Sequence, residues 1–135
     1  MKFSDIPSHE SAKQRLRDMI DNNRIPHALL LEGPAGIGKF ALARAAAQYI
    51  HCENRIDGDS CGKCAACLQH QSFNHIDTHF VFPVVKRKNS SGAVISDDYI
   101  SEWRDFLRDN PYMDFQQWLV SLDSPNAQPA IYVSD

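Results

Sequence analysis

The segment Gly33-Pro34-Ala35-Gly36-Ile37-Gly38-Lys39-Phe40 constrains the fold of this chain more than any other. It follows the phosphate-loop pattern G-x-x-x-x-G-K-[ST] at every fixed position but the last. Glycines allow successive backbone N–H groups to turn toward an anion. A helix that follows adds the positive end of its dipole. Lys39 would reach the β- and γ-phosphates. Phe40 stands where a hydroxyl would ligate Mg²⁺. Phenylalanine has no oxygen, and it is bulky where a hydrated ion would sit. The loop predicts a nucleotide-binding fold, and its last residue predicts a copy that does not run Mg²⁺-dependent hydrolysis.

The flanks fit that expectation. Ala28-Leu29-Leu30-Leu31 is a short apolar run, as a buried parallel strand requires. Ala41 to Ile50 is rich in good helix formers. Strand, glycine-rich turn and helix in that order predict an α/β fold built on a parallel sheet. A doubly wound sheet has about five or six strands. The sequence offers two, near residues 28–31 and 78–85, and a third candidate at Ala130-Ile131-Tyr132-Val133. No apolar strand ends in Asp-Glu, so no carboxylate is in place to hold magnesium. The chain therefore reads as the front part of a longer protein.

With 135 residues the chain can bury one real core. Its net charge of −3 gives no support to a broad nucleic-acid surface. It has no apolar stretch near the ~20 residues of a membrane span and no signal-peptide core at its N-terminus. A cytoplasmic protein is expected. There, four cysteines more often hold metal than pair as disulfides.

Cys52, Cys61, Cys64 and Cys67 are spaced C-x8-C-x2-C-x2-C. Zinc takes four ligands at tetrahedral corners and binds thiolates well. Gly62 suits a tight knuckle, and a short helix over Ala65-Ala66-Cys67-Leu68 would put Cys64 and Cys67 on one face. Cys52 would close the site from the end of the helix after the loop. All four ligands would be used, which describes a structural zinc. An iron–sulfur ligand set, a redox C-x-x-C and four unligated thiols are the alternatives. His70, His75 and His79 lie nearby in sequence and read as surface or packing residues, one of which would replace a cysteine if the geometry failed.

Elsewhere, Ser8 is expected to cap a helix running to Asn22, with Ala12, Leu16, Met19 and Ile20 as its apolar stripe. Lys13, Arg15, Arg17 and Asp18 read as its solvated face. Lys86 to Gly92 reads as a basic, solvated loop, and the sequon Asn89-Ser90-Ser91 as chance. Two amphipathic helices follow. One starts near Asp98, with Ile100, Trp103, Phe106 and Leu107 on one face, and stops at Asn110-Pro111. The other starts near Asp114, with Phe115, Trp118, Leu119 and Leu122 in register.

Taken together, these motifs resemble the N-terminal AAA+ region of the bacterial DNA polymerase III clamp-loader subunits, delta-prime and its relative gamma/tau. The residues that carry the likeness are the approach Arg24-Ile25-Pro26-His27-Ala28-Leu29-Leu30-Leu31-Glu32-Gly33, the four cysteines after the loop helix, and His75-Ile76-Asp77, where the family has His-Pro-Asp. Asp5-Ile6-Pro7-Ser8-His9-Glu10 is similar to the adenine-side box of such proteins.

The likeness covers residues 1–85, with a zinc module inserted at about 52–70, and leaves residues 86–135 unmatched. It implies a partial P-loop NTPase sheet with helices, the inserted four-cysteine module and a C-terminal helical segment. It also implies a place in clamp loading beside the gamma/tau and delta subunits, with the sliding clamp and primed DNA as indirect partners. Phe40 favours delta-prime, a stator that is not catalytic by itself, so ATP with Mg²⁺ is not an expected cofactor. The collar and the family's Ser-Arg-Cys arginine-finger motif are absent from this sequence. An ATP-hydrolysing gamma/tau-type subunit and a stand-alone zinc-binding module are the competing functions. An unpaired sheet edge would invite an edge-paired dimer.

Overall fold

The computed structural model describes residues 1–86, 91–124, 126–132 and 134–135. Most of the expected basic loop and the sequon at Asn89 lie outside the described residues, as does Val133. The chain forms two compact units, Met1–His75 and Ile76–Asp135.

In the first unit a short 3-10 turn, Phe3–Asp5, precedes α1 (Glu10–Asp21), α2 (Lys39–His51) and α3 (Ala65–Gln71). Leu16 and Ile20 of α1 are buried against Ala41, Leu42, Ala45 and Tyr49 of α2, with Phe3 and Ile6 closing the cluster. The small alanines let the two backbones approach closely. Ser8 does not cap α1. His9 occupies the N-cap position at φ 63, and no side chain accepts from the first turn. Glu10 serves that end instead, where a carboxylate complements the dipole.

At the other end of α1 the expected stop at Asn22-Asn23 is present. Asn23 sits at φ 52. Arg24 N–H donates to Met19 O at 2.8 Å and Asn23 N–H to Ile20 O at 3.1 Å. This is the left-handed reversal that satisfies the last carbonyls of a helix. α3 ends in the same way, with Phe73 at φ 58 and with Asn74 N–H on Gln69 O at 3.0 Å.

The solvated face expected for α1 is corrected at two positions. Lys13 is buried, and its Nζ donates to Ile6 O at 2.7 Å and to Glu10 Oε1 at 2.8 Å. Arg17 donates to Gly58 O at 2.6 Å and lies 5.1 Å from the Phe3 ring. Two of these acceptors, Ile6 O and Gly58 O, come from outside the helix, which is why helical periodicity could not reveal them.

The parallel AAA+ sheet is the main correction, because no strand is present among the described residues. Ala28-Leu29-Leu30-Leu31 carries no ladder, and Leu30 is 84% exposed. A parallel strand is held by hydrogen bonds to neighbouring strands, and none stands beside this run. Residues 78–85 make a single antiparallel bridge, Val84 to Ala130, with N···O distances of 3.0 and 3.1 Å.

The second unit contains a 3-10 turn Ser96–Tyr99, α4 (Ile100–Asp109) and α5 (Phe115–Ser121). Its core is aromatic. Phe82 stacks on Trp103 at 4.2 Å, and Trp118 meets both rings edge-on. Trp118 Nε1–H donates to Pro83 O at 2.9 Å, which satisfies the one polar atom of a fully buried side chain. The stop at Asn110 and the cap at Asp114 fall where the sequence predicts them. No helix among the described residues is long and apolar enough to cross a membrane.

Candidate metal centre and phosphate loop

The four cysteines come from three local structures. Cys52 is the first residue past α2, and its extended backbone (ψ 122) turns the chain away from the helix. Cys61 and Cys64 flank a turn in which Gly62 takes φ 74, a conformation that disfavours a Cβ. Cys64 is the N-cap residue of α3, and Cys67 lies in its first turn. All four are free thiols, and their Sγ atoms lie within 4.8 Å of one another. Cys61 Sγ and Cys67 Sγ are 3.9 Å apart. Zn–S bonds of ~2.3 Å in a tetrahedron place sulfurs about 3.8 Å apart. The four thiols can therefore hold a metal ion.

Backbone groups already face the sulfurs. Cys61 N–H donates to Cys52 Sγ at 3.3 Å, and Cys64 N–H and Lys63 N–H donate to Cys61 Sγ at 3.3 and 3.5 Å. Donors to a ligating sulfur favour its thiolate form. The Lys63 and Cys64 amides pull the Cys61 thiol down to about 6. Burial pushes Cys67 up to about 12, and the neighbouring thiols add to the rise. One thiol of the cluster ionises easily and another resists, which is the electrostatic problem a divalent cation solves.

Of the nearby histidines, His70 and His75 lie in the same unit and His79 in the other. A third histidine, His51, joins His70 and His75 instead. Burial, followed by the charges of His75 and His51, holds His70 down at about 4. The sequence reading missed His51. Its signal was positional, since it precedes Cys52 directly, while His70 stands three residues after Cys67 on the same face of α3.

In the Gly33–Phe40 loop, Gly36 and Gly38 have φ of 76 and 94. A Cβ at either would meet nothing within 4 Å, so glycine is needed there for backbone freedom rather than for space. Gly38 is the N-cap of α2, and Lys39 opens that helix. Lys39 Nζ turns back on the loop and donates to Gly33 O at 2.7 Å and Pro34 O at 2.6 Å. His9 Nε2 lies 2.8 Å from Ile37 O. Phe40 packs half-buried in the first turn of α2, with the Arg44 guanidinium 6.0 Å from its ring. Beside the loop lies a cleft of about 280 Å³, lined in part by His9, Arg15, Leu30, Glu32, Ile37 and Lys39. That is just below the range of about 300–1,000 Å³ usual for ligand pockets.

Comparison with known proteins covers much of this region. The family described as "DNA polymerase III, delta subunit" matches residues 8–124. The DNA polymerase III subunit tau/gamma of Haemophilus influenzae is 32% identical over 75 residues, which is 56% of this chain and 11% of that protein. The gamma/tau subunit of Mycoplasma pneumoniae is 36% identical over 76 residues, again 56% of this chain and 11% of the relative. The gamma subunit of Buchnera aphidicola is 37% identical over 67 residues, 50% of this chain and 19% of the relative. The chain thus spans between about a tenth and a fifth of the length of these relatives. No solved structure gives a significant match. The family match runs through both the loop and the cysteines and takes in most of the sequence, and on that ground this chain belongs to the DNA polymerase III delta-subunit family.

Proposed function

We propose that the chain is part of a clamp-loader subunit of bacterial DNA polymerase III, of the non-catalytic delta-prime kind, with a structural Zn²⁺ on Cys52, Cys61, Cys64 and Cys67. Its partners would be the gamma/tau and delta subunits, and through them the sliding clamp and primed DNA. The observation that carries this reading is the combination, in one family match, of a phosphate loop ending in Phe40 with a four-thiol cluster after the next helix. Phe40 offers Mg²⁺ no oxygen. Lys39 is engaged by the carbonyls of its own loop, so a phosphate would have to displace two charge-assisted hydrogen bonds. With the thiols supplying four ligands, zinc has no open position for catalysis, and its role is to fix the fold.

A second reading has one observation in its favour, since the relatives above carry gamma/tau names. In that reading Lys39 swings to the phosphates and water alone supplies the magnesium shell. Calorimetric titration of ATP into the complete gene product, with and without Mg²⁺ and beside a Lys39→Ala variant, separates the two. The stator reading expects no Mg²⁺-dependent heat from a folded protein. Micromolar, Mg²⁺-dependent binding that Lys39→Ala abolishes would make this a motor subunit.

A further inference from the structure

Neither the loop nor the cysteines use the three-histidine cluster. His51 is the last residue of α2, His70 sits in the last turn of α3, and His75 follows that helix. Their candidate ligand nitrogens lie within 4.8 Å of one another, and His51 Nδ1 and His70 Nε2 are 2.8 Å apart. The rings stack, with centroids 4.1 Å (His51–His75), 4.5 Å (His70–His75) and 5.0 Å (His51–His70) apart and planes inclined by 22 to 24°. We propose that His51, His70 and His75 form a second metal site, separate from the four thiols, that takes a divalent late first-row cation such as Zn²⁺ or Ni²⁺.

Imidazole suits these ions. Metal–nitrogen bonds of ~2.0–2.1 Å in a tetrahedral set put the nitrogens about 3.4 Å apart. That spacing falls between the closest pair and the widest limit found here. The stacked rings do not yet aim their lone pairs at one point, so binding would turn them about their side-chain torsions. The backbone carriers are already in place. Phe73 holds a left-handed φ of 58, unusual for a bulky side chain, and this reverses the chain after α3 toward His75. All three histidines are half-buried, which leaves water access to a fourth position. Such a site would exchange its ion, unlike a closed four-thiolate site.

One feature of the surroundings works against a cation. The positive charges of Arg44 and the amino terminus reach His70. A proton is held by one nitrogen, whereas a transition metal would gain three coordination bonds. This selects late transition metals over Mg²⁺ or Ca²⁺, which prefer oxygen ligands.

The test is calorimetric titration of Ni²⁺ into the 135-residue chain loaded with one equivalent of Zn²⁺, beside His70→Ala and His75→Ala. The expected result is one Ni²⁺ per chain, weakened at least about tenfold by either substitution, as loss of a ligand should cost no less than loss of an outer-shell partner. Ni²⁺ should also broaden the NMR ring signals of His51, His70 and His75 in the unsubstituted chain and spare those of His27. No binding overturns the site. So does binding that both variants retain, or nickel whose near-ultraviolet absorption marks it as thiolate-bound. The NMR readout on the unsubstituted chain stands even if a variant fails to fold.

Discussion

Asp59 illustrates how a single residue ties the cysteine loop to the start of the chain. Its Oδ1 accepts from the N–H groups of Phe3 at 2.9 Å and Ser60 at 2.8 Å, and its Oδ2 from Ser4 N–H at 2.9 Å. Burial works against its ionisation, but these amides outweigh burial and hold the carboxyl below its ordinary 3.8. A depressed carboxylate contributes stability above its unfolded pKa, and that contribution is lost as pH falls through the lower folded value. Asp59→Asn puts an NH₂ against a backbone N–H and removes the charge. The group is partly exposed, so the expected cost is modest, about 1 kcal/mol at pH 7. Urea unfolding should show the gap between the two proteins narrowing below pH 3.8. A gap of the same size at pH 7 and pH 3 would mean that the carboxylate charge is not what matters. The tie to the start of the chain was not legible in the sequence, because Phe3 and Ser4 lie more than fifty positions from Asp59.

Among the elements, the helices were the readable part. α1, α4 and α5 each show their apolar stripe at helical spacing, and their ends carry local signals at Asn23, Asn110 and Asp114. Helical hydrogen bonds are local, so a local pattern is enough to specify them. α3 is different. Like α5 it has seven residues, too few to sustain a helix in water by themselves, but it lacks an apolar stripe and a side-chain cap to mark it in the sequence. Only the spacing of Cys64 and Cys67 hinted at it, and its anchor, Cys52, belongs to another element. With zinc bound, the four thiols would tie the end of α2 to the start of α3. Removing the metal with a chelator under reducing conditions should therefore lower the melting temperature by ~10 °C and reduce the helical circular dichroism. Restoring Zn²⁺ should reverse both changes, and Mg²⁺ should not. An unchanged melt after the metal is shown to be gone would remove zinc from the folding of α3.

At the scale of the whole molecule, the α/β reading failed where the physics stops being local. An apolar run such as Ala28-Leu29-Leu30-Leu31 is compatible with a buried strand, yet a strand exists only if other segments supply its ladder. Here Leu31 alone packs partly against the helical core, while Leu29 is 51% and Leu30 84% exposed. The gathering of the four cysteines was legible because it follows from residue type and spacing. The sheet was not, because it would have required partners far along the chain. The two architectures make opposite demands on Leu30. In a buried central strand, Leu30→Glu would leave an unpaired charge in the core and cost several kcal/mol. On the surface described here the same change should fall within about ±0.5 kcal/mol. Replacing Leu16, which is 4% exposed on α1, should cost about 2–5 kcal/mol when cut to Ala. Chemical denaturation of the two variants beside the unsubstituted chain makes the comparison internal. A Leu30→Glu protein that unfolds as readily as Leu16→Ala would mean that the run is buried after all, and the helical architecture of the first unit would have to be withdrawn.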